Sequence, residues 1–422
     1  MDAAGTIPLP FPARRIPSLT CPFIGGVSRS VPMSDLSLQL QQGYSSQLPV
    51  SSYFDGALFQ REIETLFKNG PRYVGHHLAV PQEGDYYTLP QESGGRALVR
   101  TQKGVELISN VCRHRQALIL QGRGSLPAQA GGNIICPLHR WTYSASGPQA
   151  AGTLLGAPHF DKDPCLNLHN YPLSEWNGLL FERNADGSGR DIKADLAGLG
   201  PRAALDFSGY AFDRVEMHLC DYNWKTFIEV YLEDYHVGPF HPGLGQFVEC
   251  DELQWQFKPH YSVQTVGVAN RLGKSDAKGD GKGGSPAYER WQNALLKYRD
   301  GVPPQHGAIW LTYYPHVMVE WYPHVLTVST LHPLGPQKTM NMVEFYYPED
   351  IAAFEREFVE AQQAAYMETC VEDDEIALRM DAGRKALIER GDNEFGPYQS
   401  PMEDGMQKFH EWYRGEMGAI SG

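Results

Sequence analysis

The sequence predicts an α+β protein, and three stretches carry that reading. From Tyr73 to about Arg183 the chain is built of short apolar runs broken by Gly, Pro and Asn, the pattern of an all-β module of short antiparallel strands. Residues 307 to 333, "GAIWLTYYPHVMVEWYPHVLTVSTLHP", read as a second, longer-stranded sheet, and Pro348 to about Arg390 as a long helical stretch. At 422 residues there is room for about two domains, each large enough to bury a core.

The elements follow in order. Residues 1–47 are expected to be a flexible tail: the first thirty are rich in Pro, Ser and Gly, and lack the continuous apolar core of a secretory signal. Met33 is a candidate true start, and a transit peptide is the less favoured reading. In residues 48–70, "FDGALFQREIETLF" places Leu58, Ile63, Leu66 and Phe67 at helical spacing, so this helix should pack on the C-terminal domain. Residues 71–190 form the β module, with strands suggested by "YVGHHLAVPQEGDYYTLP", "RALVRTQKGVELISNVC", "GGNIICPLH" and "WNGLLFE". Residues 191–422 mix a sheet with helices, interrupted by "LGKSDAKGDGKGGSPAY" (272 to 288), which is too rich in Gly, Asp and Lys to pack and reads as a mobile loop and candidate lid. Its "GKS" lacks the upstream glycine of a phosphate loop, so a nucleotide site is set aside.

Composition narrows the function classes. Apolar residues make up 42% and charged residues 20%, the balance of a folded globular chain. The net charge of -14 and the lack of a long Lys/Arg run argue against nucleic acid or an anionic membrane as partner. No apolar run approaches the roughly 20 residues of a membrane helix. Seven cysteines, an odd number scattered along the chain, argue against a secreted disulfide framework and for the reducing cytoplasm.

Four candidate metal ligands stand in two matched pieces. "NVCRHRQALI" (110 to 119) carries Cys112 and His114; "IICPLHRWTY" (134 to 143) carries Cys136 and His139. A structural Cys2His2 zinc site in a binding protein without redox activity is one reading. Zinc pairs usually separate like ligands, however, whereas each piece here gives one thiolate and one imidazole. A [2Fe-2S] cluster with cysteines on one iron and histidines on the other suits that mixture. The CxH and CxxH spacing, with Pro137 stiffening the second loop, is a specific signal.

A second constellation lies in "NWKTFIEVYLEDYHVGPFHPGL" (223 to 244). Glu233 and His236, three apart, are expected as neighbours on one helical face, with Asp234 pointing away. Gly238 and Pro239 should end that helix and let His241 swing back toward His236. Two histidines need one more carboxylate to make the 2-His-1-carboxylate triad of non-haem Fe(II). "CVEDDEIALRMDAG" (370 to 383) offers Glu372, Asp373, Asp374 and Glu375; Asp373 shares a helical stripe with Tyr366, Cys370, Ile376, Ala377 and Met380, and Asp374 is the runner-up.

"CRHR" and "CPLHRWTY" resemble the CxHR and CPxHxWxY loops of the Rieske non-haem iron oxygenases, the ring-hydroxylating dioxygenase alpha-subunit family. "NWK", "EDYHVGPFH", an acidic pair followed by Gly383, and the tail "GPYQSPMEDGMQKFHEWY" extend the resemblance over roughly Leu48 to Tyr413, most in the manner of the choline, betaine and carnitine oxygenases. The resemblance implies an all-β Rieske [2Fe-2S] domain and a helix-grip (START-like) catalytic domain with an antiparallel sheet. Cys112 and Cys136 would hold one iron of the cluster and His114 and His139 the other; His236, His241 and Asp373 would hold mononuclear Fe(II); and Glu233 would be the bridging acid to the cluster of a neighbouring subunit in a homotrimer. Neutral imidazoles in place of two thiolates raise the cluster potential to about -150 to +300 mV, against about -400 mV for plant-type clusters. Electrons would come from NAD(P)H through a separate reductase, with or without a ferredoxin, since the chain carries no nicotinamide or flavin fingerprint.

Arg140 departs from the family, which usually has Gly there. With Arg113 and Arg115 it would ring the cluster edge with positive charge, as a docking patch for an acidic donor or as partners in internal salt bridges. A quaternary ammonium compound is the first expectation for the substrate, with Trp310, Tyr313, Tyr314, Trp321 and Tyr322 as candidate cage residues; an aromatic acid is the alternative.

Overall fold

The computed structural model describes residues 47–199, 203–269, 285–392 and 396–418. The expected tail, save Gln47, and the expected mobile loop as far as residue 284 lie outside the described residues.

Helix α1 (Gly56–Glu62), capped by Asp55 on two backbone N–H groups, runs on through Lys68. Leu48, Tyr53, Leu58, Phe59 and Leu66 from this segment share an apolar cluster with Trp224, Ile228, Phe409 and Tyr413. The β module comprises β1 (Arg72–His76), β2 (Asp85–Thr88), β3 (Arg96–Thr101), β4 (Gly104–Ser109), β5 (Arg123–Ser125), β6 (Ile134–Ile135), β7 (Thr142–Tyr143), β8 (Leu154–Gly156), β9 (Asn170–Tyr171), β10 (Leu173–Trp176) and β11 (Leu179–Glu182). They form a five-stranded sheet, β5-β2-β3-β4-β9, and two three-stranded sheets, β6-β7-β8 and β1-β11-β10.

After α2 (Ile192–Leu196) comes β12 (Tyr210–Cys220), then α3 (Trp224–Tyr231), α4 (Val237–Phe240) and α5 (Leu244–Phe247). Strands β13 (Val248–Phe257) and β14 (Tyr261–Val268), helix α6 (Pro286–Tyr298), and strands β15 (Ala308–Tyr313), β16 (Val317–Tyr322), β17 (Val325–Gly335) and β18 (Lys338–Pro348) follow. The chain closes with α7 (Glu349–Phe354), α8 (Arg356–Arg390) and α9 (Asp404–Met417). The seven strands make one antiparallel sheet in the order β12-β18-β17-β16-β15-β14-β13. Since β12 and β13 are opposite edges, residues 221–247 must travel from one edge of the sheet to the other.

Period-two alternation sorts the strands' side chains onto two faces. Trp310 and Tyr322 pack with Trp291 of α6 and Phe358, Val359 and Ala365 of α8 on one face. Ile309, Leu311, Tyr313, Val317 and Val319 pack on the other, against Tyr73, Leu179 and Phe181 of the β module.

Three expectations about elements are corrected. The helix in residues 223 to 236 stops at Tyr231, so Glu233 and His236 meet across a turn rather than along a helix face, and Asp234 is buried at 3% exposure instead of pointing away. Gly238 and Pro239 do not end a helix but lie inside the short α4, where a proline in the first turn has no intrahelical N–H bond to lose. Pro286 to Tyr288, assigned to the mobile loop, begin α6, whose N-cap Ser285 accepts a bond from the Tyr288 N–H.

Candidate active site

The two cysteine-histidine pieces are two turns at one end of the β module. Cys112 takes the N–H of Gln116 on its carbonyl, and Cys136 takes that of Arg140 in the same way. Both thiols are buried in one apolar cluster with Trp141 and Tyr143, while the His114 and His139 rings lie 4.6 Å apart, nearer the surface. Trp141 stacks on His114 at 5.0 Å and 5°, and the Tyr143 hydroxyl is 3.5 Å from the Cys112 sulfur. His114 Nδ1 is buried with no protein partner among the described residues, a nitrogen aimed at something the polypeptide does not supply. Two thiols and two imidazoles so placed fit a [2Fe-2S] group.

Arg140 has φ 63°, the left-handed region where a Cβ is costly and glycine is favoured. This accounts for the glycine usual there: the residue two positions before β7 must turn left-handed to send the chain back along β6. Arg113, Arg115 and Arg140 are all exposed, and among the described residues none is in an ion pair; Arg113 donates to the Cys165 carbonyl instead. Among the described residues, the internal salt bridges weighed for them from sequence do not occur. Leu138, on the same rim, is 56% exposed.

The second site sits on the α8 face of the large sheet. His236 and His241 bring their Nε2 atoms to 2.9 Å of each other, and Asp373 Oδ1 of α8 lies 2.9 Å from the Nε2 of His241 and 3.4 Å from that of His236. Each Nδ1 has its own carboxylate: Glu233 at 2.5 Å from that of His236, and Glu372 at 2.7 Å from that of His241. Carboxylates on both Nδ1–H groups fix the tautomer and leave both Nε2 lone pairs directed at one point. Burial works against charging His236, yet Asp373 and Glu233 raise it to about 10, the behaviour of a ring in a field that attracts cations. The trio fits a divalent metal with open positions.

The structure brings Asp373, not Asp374, to the histidine pair. Asp374 faces the other way, 2.5 Å from His218 Nε2 and accepting the Tyr222 hydroxyl at 2.7 Å. His218, Cys220 and Asp374 are also close enough to share an ion, but that carboxylate already has two partners. Sequence reasoning offered Glu372 only as one acid among four, because which Nδ1 it meets depends on how α8 crosses α4.

A cavity opens beside the triad, lined by Tyr231, Asp234, Tyr288, Trp291, Trp310, Glu320, Tyr322 and Tyr366 among others. Of the five aromatic residues proposed for a cage, only Trp310 and Tyr322 reach it. Tyr313 and Trp321 have the opposite strand parity and pack on the far face, and Tyr314 lies beyond β15 against Phe409 and Trp412. Glu320 was missed; a lone acid inside the apolar strand "VMVEWY" was the available signal.

Residues 72–170 match the Rieske [2Fe-2S] domain family, and residues 201–419 match the family of the ring-hydroxylating alpha subunit catalytic domain. The chain belongs to the Rieske non-haem iron oxygenases of the ring-hydroxylating alpha-subunit type, enzymes with a [2Fe-2S] cluster and a mononuclear iron. It is 63% identical to the putrescine 2-hydroxylase of Ralstonia nicotianae, over 90% of this chain and 99% of that one. Identity to the putrescine 2-hydroxylase of Bordetella bronchiseptica is 60%, over 88% and 85%. The quaternary ammonium Rieske monooxygenase CntA has a similar fold, with a TM-score of 0.67 at 19% identity over 89% of this chain and 96% of that one. No helix among the described residues is long and apolar enough to cross a membrane.

Proposed function

We propose that the chain is a terminal oxygenase that hydroxylates a carbon of a small aliphatic diamine of the putrescine type. The observation that carries this is the 63% identity to a putrescine 2-hydroxylase along almost the whole of both chains. The reaction balances as a C–H bond plus O2, two electrons and two protons giving C–OH and water. The electrons would come from NAD(P)H through a separate reductase, with or without a ferredoxin. The quaternary ammonium compound and the aromatic acid expected from sequence become the competing substrates.

Cys112, Cys136, His114 and His139 would hold the [2Fe-2S] cluster, and His236, His241 and Asp373 the mononuclear iron. Once bound, these groups supply one-electron relay and O2 activation. The rest falls to the chain's own side chains. Glu233 and Glu372 hold the two imidazoles in one tautomer and orientation. Trp291, Trp310, Tyr288 and Tyr322 wall the cavity and keep water from the bound carbon chain. In a homotrimer, Glu233 would also join His236 to a cluster histidine of the neighbouring copy, through an interface whose rotation closes.

The test is turnover by the iron- and sulfide-loaded protein with reductase, NADH and O2, offered putrescine, choline, carnitine and benzoate in turn. Putrescine is expected to gain one oxygen atom, taken from O2; turnover of another of these and not of putrescine would overturn the reading. His236→Ala and Asp373→Ala should abolish turnover with the cluster's visible absorption intact, and Asp374→Ala should remain active. The reverse result for the two aspartates would move the iron ligand by one residue.

A further inference from the structure

Glu320 is 1% exposed, yet among the described residues no lysine, arginine or histidine touches it. Its partners are hydroxyls: Tyr366 donates to Oε1 at 3.0 Å and Tyr322 to Oε2 at 3.4 Å, and Thr327 stands opposite it on β17. Tyr231 lines the same cavity, and burial and the charge of Glu320 together push its hydroxyl well up. Indole rings complete the box, with Trp291 at 5.9 Å and Trp310 at 6.1 Å from Tyr322, and both indole N–H groups lack a partner among the described residues. Glu320 sits opposite Trp310 on the neighbouring strand, so the acid and the indole share the cavity face by register.

A buried carboxylate without a cation is costly, and burial raises Glu320 to about 7. That alone does not make a site. Glu344 is equally buried, is also raised to about 7, and accepts from the Tyr73 hydroxyl in the seam between sheet and β module, but it is not among the residues lining the cavity beside the triad. Glu320 differs in lining the cavity that holds His236, His241 and Asp373. Among the described residues the cavity wall contains no lysine or arginine, and its other acid without a cation, Asp234, has an Oδ2 with no partner.

We propose that Glu320, within the box of Tyr231, Tyr322, Tyr366, Trp291 and Trp310, receives one ammonium end of the substrate and selects primary over quaternary ammonium. This rests on the reading of the substrate as an aliphatic diamine. A –NH3+ group carries three donors and can satisfy the Glu320 carboxylate and the phenol oxygens together, while the aromatic faces add cation–π attraction. A trimethylammonium group would keep the charge attraction and the cation–π contact but has no N–H donor, so it would leave the carboxylate without a hydrogen bond from its new neighbour.

The experiment is anaerobic calorimetric titration of the holoenzyme with putrescine, beside steady-state kinetics. Glu320→Gln should weaken putrescine binding by about 100-fold or more, the scale seen when one member of a buried charge pair is removed. KM should rise accordingly while kcat changes far less, and choline should lose much less affinity than putrescine. Glu344→Gln should bind putrescine as the wild type does. Should the glutamine variant fail to fold, Glu320→Asp keeps the charge but withdraws it by one methylene, and should bind more weakly than the wild type. Unchanged putrescine affinity in a folded Glu320 variant would overturn the proposal. If the wild-type enzyme neither binds nor hydroxylates putrescine, the diamine reading fails; Glu320 is then judged on butylamine, whose binding should still depend on it and whose indifference would defeat it.

Discussion

The catalytic domain has two ionic interiors, and they are built on opposite plans. Between α1, α3, α8 and α9 every buried carboxylate touches a cation: Glu62 meets Lys225 at 2.6 Å, Asp381 meets Arg384 at 3.1 Å, and Glu229 meets Arg384 with His410 at 2.8 Å. Tyr53 and Tyr413 add hydroxyl donors, and the Arg384 guanidinium lies 3.7 Å over the Tyr53 ring. In the cavity beside the triad, Glu320 and Asp234 are as deeply buried and have no such partner among the described residues. The first interior is closed and ties four helices together; the second is left open in charge, which is what a cationic ligand requires.

The largest expected effect comes from opening the closed interior. Arg384→Ala leaves Glu229 and Asp381 buried without their cation and should cost about 3–5 kcal/mol, read by chemical denaturation of the loaded protein. A loss below about 1 kcal/mol, the scale of an exposed pair, would mean that the network contributes little to the fold.

A second test sharpens the contrast through pH, because the two interiors have opposite signs. Burial alone would raise Glu229, but Arg384 and His410 bring it down to about 2. Its stabilising contribution is therefore complete above the unfolded value of about 4.5 and is lost as pH falls through about 2. Glu320 is raised to about 7, so its contribution is complete below about 4.5 and is lost as pH rises through about 7, up to about 3 kcal/mol in all. Glu320→Gln should thus gain stability over the wild type between pH 5 and 8, with no ligand present. A difference between the two melting curves that stays flat with pH would show that Glu320 has a cationic partner after all.

The smallest effect lies outside both interiors, at the cluster rim. Arg140→Gly relieves the left-handed backbone at φ 63° and should stabilise the β module by about 1 kcal/mol. It should also flatten the salt dependence of cluster reduction by the donor, which the exposed Arg113, Arg115 and Arg140 would otherwise steer. An unchanged salt dependence would remove Arg140 from the docking surface.

Much of this was legible in the residues themselves. Cys112, His114, Cys136 and His139 announce their chemistry because a turn brings near neighbours in sequence together, so spacing alone reports geometry. His236 and His241 are legible for the same reason, although the helix expected to carry them ends at Tyr231. Tertiary structure decided the rest. Whether Asp373 or Asp374 meets the histidines turns on the rotation of α8, and adjacent helical residues differ by about 100°. Which aromatic residues face the cavity turns on strand parity, which puts Trp310 and Tyr322 inside and Tyr313 and Trp321 on the far face. That Glu320 has no cation among the described residues while Glu229 has one follows from contacts between segments more than a hundred residues apart, such as Glu229 with Arg384. Local spacing fixes a ligand's neighbours along the chain; only packing fixes which charges are left without a partner.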